Sequence, residues 1–225
     1  MLMKRHLAVG VAGLFVVSSA LSAHDRITTK VTWNREISRI VQARCVSCHS
    51  DGGRAPMSLA TYEQARPWAK AIRDEVLARR MPKWHAARGY GDFANDPSLS
   101  SFEVALITAW ANGGAPRGAE KAVPVHAHAT RTDPPSSGRK IDLPCGTQPL
   151  KGRLIAVRPA LGRGDSVAIS AFLPNGRREI VGWIRQYDPN FPMTYWLRTP
   201  LEMPSGSRLI LDTNSVQCSV TVTVR

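Results

Sequence analysis

The stretch Cys45-Val46-Ser47-Cys48-His49 leaves this chain few ways to fold around it. Two thiols three positions apart lie on one helical turn, and a histidine follows directly. This is the attachment sequence for a c-type haem. The spacing has a chemical reason. The two sulfurs reach the two vinyl groups of one macrocycle as thioethers, and the adjacent imidazole supplies a nitrogen to the iron. Cys-x-x-Cys also serves as half of a zinc site or as a redox dithiol. Zinc needs a second pair nearby, and Cys145 and Cys218 stand far away in sequence. A dithiol of the thioredoxin kind expects a strand–helix unit. Here Ile37, Ile40, Val41 and Ala43 are spaced along one face of a helix that ends near Cys45. The residues therefore point to one covalent haem c, held by Cys45 and Cys48, with His49 as the proximal iron ligand.

The chain from about 31 to 117 reads as helical throughout. A second helix is expected over about 62–80, with Thr61 and Gln64 as a capping box. Pro67 either kinks that run or begins a new helix at its first turn. A third helix starts at Ser100 with Glu103 as box partner, carries Phe102, Leu106, Ile107 and Trp110 as apolar positions, and ends at Asn112-Gly113-Gly114. A sixth iron ligand is needed for electron-transfer ligation, and methionine is a usual partner of histidine there. Met81 is the leading candidate, because it follows a helix and precedes Pro82, which turns the chain. Met57, Lys83 and His85 are its rivals.

The N-terminus reads as a secretory signal peptide over residues 1–23: Lys4, Arg5 and His6, then an apolar run, then small residues to Ala23. The apolar run is short for a span, which needs about 20 residues. No stable membrane span is expected after cleavage, and the location is periplasmic or secreted. The net charge of +13 falls to +11 when Lys4 and Arg5 leave with the signal. Such a field steers an acidic partner, whereas nucleic acid is a poor partner for an exported protein. An oxidising compartment also permits a disulfide between Cys145 and Cys218.

Residues 118–140 form a polar, proline-containing stretch that ends in Pro134-Pro135-Ser136-Ser137-Gly138, read as a linker. His126-Ala127-His128 falls within it. Short β-branched runs then recur at 154–157, 166–172, 179–184, 194–197, 208–211 and 219–224, with Pro174-Asn175-Gly176 as a hairpin signal. The pattern implies a small antiparallel β-sandwich over 141–225. The fold class expected is therefore a multidomain α-plus-β chain, with an N-terminal all-α domain and a C-terminal sandwich.

The segments Thr32-Trp33-Asn34-Arg35-Glu36-Ile37, Cys45 to His49, Ala55-Pro56-Met57-Ser58-Leu59, Ala65-Arg66-Pro67-Trp68-Ala69, Arg80-Met81-Pro82-Lys83-Trp84-His85 and Ala109-Trp110-Ala111-Asn112-Gly113-Gly114-Ala115-Pro116 resemble a bacterial cytochrome c domain. Such domains occur fused to copper type II, ascorbate-dependent monooxygenase-like modules. The resemblance covers about 31–117. It supports Met81 as axial ligand and places Trp84 either on the haem or in ordinary core. More weakly, Arg158-Pro159-Ala160-Leu161-Gly162-Arg163-Gly164, Leu173-Pro174-Asn175-Gly176-Arg177-Arg178-Glu179, Tyr187-Asp188-Pro189-Asn190-Phe191 and Leu201-Glu202-Met203-Pro204-Ser205-Gly206-Ser207-Arg208 resemble the β-rich module of those enzymes. The copper-bearing relatives carry His-x-His where this chain has Ala160-Leu161-Gly162. No histidine follows His128. Oxygen-activating copper needs imidazole ligands, so copper monooxygenase activity is not expected.

These observations imply an exported monohaem cytochrome that transfers electrons to or from a redox partner protein, with an acidic partner favoured by the basic charge. The alternative is a haem enzyme with an open sixth position, for which His85 offers a proton donor, or a redox or gas sensor.

Overall fold

The computed structural model describes residues 28–119 and 138–225. The expected signal peptide, most of the expected linker and His126-Ala127-His128 lie outside the described residues.

The first part is helical. A π-helical turn, Trp33–Ile37, runs into α1 (Ser38–Arg44). The Thr32 side chain accepts from Arg35 N, and Glu36 reaches back to Thr32 N, so two free N–H groups of the first turn find partners. α2 (Tyr62–Ala65) has the expected Thr61/Gln64 box. Pro67 sits in a 3-10 turn, Arg66–Trp68, which leads into α3 (Ala69–Leu77). The proline therefore opens a new helix instead of kinking an old one. α3 stops before Arg80, because Arg79 takes a left-handed φ of 54° that ends the helix. α4 (Ser101–Asn112) has the Ser100/Glu103 box and ends at Gly113.

Ile37, Val41, Leu59, Ala65, Ile107 and Trp110 form the heart of the helical core. Trp110 Nε1 donates to the Pro116 carbonyl at 3.0 Å, and Trp33 N donates to the same oxygen. The return of the chain after α4 is thus stitched to its start. Phe102, expected on the apolar face, is exposed beside Glu103. Ala43 is exposed as well.

The second part is a sandwich of two four-stranded antiparallel sheets. Its strands are β1 (Arg139–Pro144), β2 (Gly146–Pro149), β3 (Gly152–Leu161), β4 (Val167–Phe172), β5 (Arg178–Ile184), β6 (Tyr195–Met203), β7 (Arg208–Thr213) and β8 (Cys218–Val224). One sheet runs β1-β8-β3-β6 and the other β2-β7-β4-β5. The Asn175-Gly176 turn joins β4 to β5, with Asn175 Oδ1 accepting from Arg177 N at 3.0 Å. Leu154, Val157, Ile169, Leu209, Leu211 and Val222 fill the space between the sheets. The chain crosses from one sheet to the other at Cys145, and Cys145 is bonded to Cys218 there, with the Cα atoms 5.5 Å apart.

Sequence reading placed no strand at β1 or β2. Both are edge strands, largely exposed, and each ends in a proline. An edge tolerates a residue that cannot donate to a ladder and needs no alternating apolar face.

Residues 83–98, between α3 and α4, do not stay with the helices. They run as a strap along the open side of the sandwich, where β5 and β6 are the sheet edges. Ala86 bridges to Ile184 of β5, and Phe93 bridges to Leu197 of β6. Phe93 is buried in the sandwich core with Trp84 packed beside it. A Cβ on Gly182 of β5 would run into the Phe93 ring, so glycine there makes room for this aromatic.

Candidate functional site

The Cys45–His49 segment begins where α1 ends. Cys45 N still bonds the Val41 carbonyl at 2.8 Å, and the N–H groups of Cys48 and His49 both reach the Cys45 carbonyl, at 3.0 and 2.9 Å. The helix thus closes in a tight turn that carries both thiols and the imidazole. Residues 50–59 fold back over that turn: Ala55 N donates to the Cys48 carbonyl at 3.1 Å and Leu59 N to the His49 carbonyl at 2.9 Å. Gly53 permits this return, because a Cβ there would collide with the Cys48 carbonyl.

His49 has a defined orientation. Its Nδ1 lies 3.2 Å from the Met57 carbonyl oxygen. A carbonyl only accepts, so Nδ1 carries the proton and Nε2 presents its lone pair. This is the arrangement that orients a metal-bound imidazole and raises its basicity.

Cys45 and Cys48 are not joined to each other or to another cysteine. Burial, reinforced by the neighbouring Cys48, pushes the Cys45 thiol up to about 12. Such a site disfavours a thiolate and suits a neutral sulfur. A zinc-bound cysteine is a thiolate and a haem-bound one is a thioether. Among the described residues, no group of three or more His, Cys, Asp or Glu side chains is arranged to hold a metal ion. The donors present fit a covalent haem: two sulfurs on one turn and one imidazole nitrogen held beside them.

The candidates for the sixth position separate by place. The Met57 carbonyl faces His49 Nδ1, so the Met57 backbone lies beside the imidazole, and its side chain packs against the helical core. Lys83 Nζ sits 5.5 Å over the Phe191 ring. The His85 ring lies 5.8 Å from the Tyr187 ring, and burial holds its pKa below the ordinary value. Both rivals after Pro82 thus face the sandwich. Trp84 goes with them, 4.7 Å from the Tyr195 ring, in ordinary core of the sandwich.

Met81 is half-buried and belongs to neither of the two apolar cores among the described residues. The turn that carries it is braced by a two-point ion pair, Arg80 Nε and Nη2 to the Glu75 carboxylate at 2.9 and 2.8 Å. Glu75 is held below the usual carboxylate range by this hydrogen bonding.

A cleft of about 330 Å³ opens where the helices meet the strap, lined by Arg44, Trp84, Arg88, Phe93, Ser100 and Glu103 among others. The three attachment residues do not line it. Arg44, directly before Cys45, pairs there with Glu103 at 3.1 Å.

Comparison with known proteins returns no matching family model, no matching curated protein and no matching solved structure.

Sequence reasoning missed two parts of this arrangement. One is the Met57 carbonyl as the partner of His49. The other is the strap, whose signal was the dense run Trp84 to Phe93 of aromatics and glycines between two helices.

Proposed function

We propose that this chain is an exported electron carrier with one covalent haem c, of the bacterial cytochrome c kind that its helical segments resemble. Cys45 and Cys48 hold the group as thioethers, His49 Nε2 is the proximal ligand and Met81 is the distal one. When bound, the group supplies a one-electron ferric–ferrous couple. The observation that carries the reading is the His49 Nδ1–Met57 carbonyl contact on the turn that presents both thiols. It fixes the imidazole as a ligand is fixed. The placement of the rivals supports Met81: Lys83 and His85 lie against rings of the sandwich, and the Met57 side chain packs on the helical core.

The open-site enzyme reading gains nothing from these contacts. Its proton donor, His85, lies against the Tyr187 ring of the sandwich, with Nε2 buried and without a hydrogen-bond partner among the described residues. No observation favours a sensor over a carrier.

The partner fits an acidic protein surface. Arg139, Lys151 and Arg225 line a shallow depression of about 450 Å³ at one end of the sandwich, and the chain carries +13, or +11 without Lys4 and Arg5 of the expected signal. Such a field speeds the encounter with an acidic partner and weakens as salt rises. Among the described residues no helix is long and apolar enough to cross a membrane.

The test is attachment. Protein produced with a haem-attachment system should retain its haem after denaturation and acid extraction, one per chain. Cys45→Ala with Cys48→Ala should release it. A native chain that yields its haem to extraction, or binds zinc in its place, would refute the proposal.

A further inference from the structure

The electron-carrier reading gives the sandwich only a basic end to meet a partner, and the strap adds a second task. Its bonds to the sandwich are dense and begin close to Met81. Arg185 N donates to the His85 carbonyl at 2.8 Å and Ala87 N to the Trp183 carbonyl at 2.7 Å. Ala94 N donates to the Trp196 carbonyl at 2.8 Å. Asn95 acts at both ends of its amide: Nδ2 donates to the Thr194 carbonyl at 2.8 Å and Oδ1 accepts from Trp196 N at 3.1 Å. Arg198 closes the far end, with Nε on the Asp92 carboxylate at 3.0 Å and Nη2 on the Phe93 carbonyl at 3.1 Å. Between these bonds Trp84 and Phe93 are sunk against Tyr195.

The distance along the chain makes this consequential. Lys83 lays its side chain over Phe191 two residues after Met81, and the first backbone bond to the sandwich, at the His85 carbonyl, comes four residues after Met81. The Met81 backbone is therefore tied to the sandwich within four residues on one side. On the other side, Met81 N reaches back to the Glu75 carbonyl at 3.4 Å, next to the Arg80–Glu75 fork. Met81 belongs to neither apolar core among the described residues, and its backbone runs between these two anchors, of which one belongs to the helices.

We infer that the β-sandwich is the clamp of the sixth-ligand loop: by gripping residues 83–98 through Phe93, Asn95 and Arg198, it holds Met81 at the distal position. Phe93, Asn95 and Arg198 are positioning residues that act on the ligand through the backbone. The inference rests on the His49/Met81 reading and gives the sandwich its role in it. A loosened clamp frees the methionine and opens the sixth position to an external ligand, while the thioethers and His49 stay in place.

The experiment compares the full-length holoprotein with Phe93→Ala and Arg198→Ala. Arg198 is a largely exposed side chain, so its variant folds even where Phe93→Ala does not. Three properties are read: the methionine–iron charge-transfer band of the ferric form, the rate of cyanide binding, and amide exchange at Ala87, Ala94 and Trp110. The clamp predicts a weakened band and faster cyanide binding in both variants. For Arg198→Ala the rate rises about tenfold, as expected when lost clamp bonds shift a closed–open equilibrium by that factor. Exchange quickens at Ala87 and Ala94 and is unchanged at Trp110. An unchanged band and unchanged cyanide rate in both variants overturns the clamp. A native protein without the band fails earlier, at the ligation itself, and that failure is seen before any variant is compared.

Discussion

The two halves of the molecule bury themselves differently. The sheets of the sandwich face each other over a continuous apolar core to which the strap contributes Ala86 and Phe93, and a disulfide ties the crossing point at Cys145. The helical region has short helices, the longest being α4 at 12 residues. Helices of that length draw their stability from packing more than from their own hydrogen bonds. Yet Cys45, Cys48, His49 and Met81 are only partly buried, none of them within the fully buried part of its core. The Cys45–His49 turn lies at the edge of the half with the short helices, while the strap ties the segment after α3 to the more extensively packed sandwich.

The largest effect should come from removing the attachment. With Cys45→Ala and Cys48→Ala together, the helical region is expected to lose cooperative melting while the sandwich melts as before. Thermal unfolding followed by far-ultraviolet dichroism and by tryptophan fluorescence would separate the two. A helical transition unchanged in this variant would show that the region is complete without its prosthetic group.

The converse change acts on the sandwich. Replacing both Cys145 and Cys218 by serine removes the closure of a 73-residue separation. It should lower sandwich stability by about 2–4 kcal/mol. Urea unfolding of the double variant checks this, and a loss confined to the helical transition would reverse the comparison.

How far each half could be read from sequence follows from the same contrast. The helical signals are local: Thr61 with Gln64 and Ser100 with Glu103 lie three residues apart, and both boxes form. The Asn175-Gly176 turn is local too. What could not be read is what depends on distant partners. Asn95 meets Thr194 across 99 positions, and nothing near Asn95 announces it. Trp84 sits in a motif that looks made for a haem, so its burial against Tyr195 was hidden by its neighbours. The strands β1 and β2 carry polar residues and prolines because edges allow them. The grouping of Cys45, Cys48 and His49 on one turn was legible because it too is local. The support for His49 was not, since any carbonyl can supply it.

A smaller effect tests the helical half alone. Ser100→Ala removes the side-chain acceptor for Glu103 N and should cost about 1 kcal/mol. The loss should appear in the helical transition and leave the sandwich untouched.

The smallest effect concerns the seam between the halves. Burial lowers the pKa of His85 from its ordinary 6.5, and Lys83 adds to this, while Asp188 and the Gln186 backbone oppose it. The folded strap therefore prefers a neutral imidazole. Above pH 6.5 that preference costs nothing. As the pH falls through the window below it, the released strap takes up a proton that the folded one refuses, and stability declines until folded His85 is protonated as well. Urea midpoints measured across this window should slope downward toward acid, and His85→Gln should flatten the slope.

The central claim is that His49 and Met81 hold one haem iron between them. The ferric visible spectrum of the native holoprotein, recorded beside Met81→Ala, tests it most directly. The account predicts a methionine–iron charge-transfer band in the native protein that vanishes in Met81→Ala, with the haem still covalently attached in both. A native spectrum without that band, or one that Met81→Ala leaves unchanged, would contradict it.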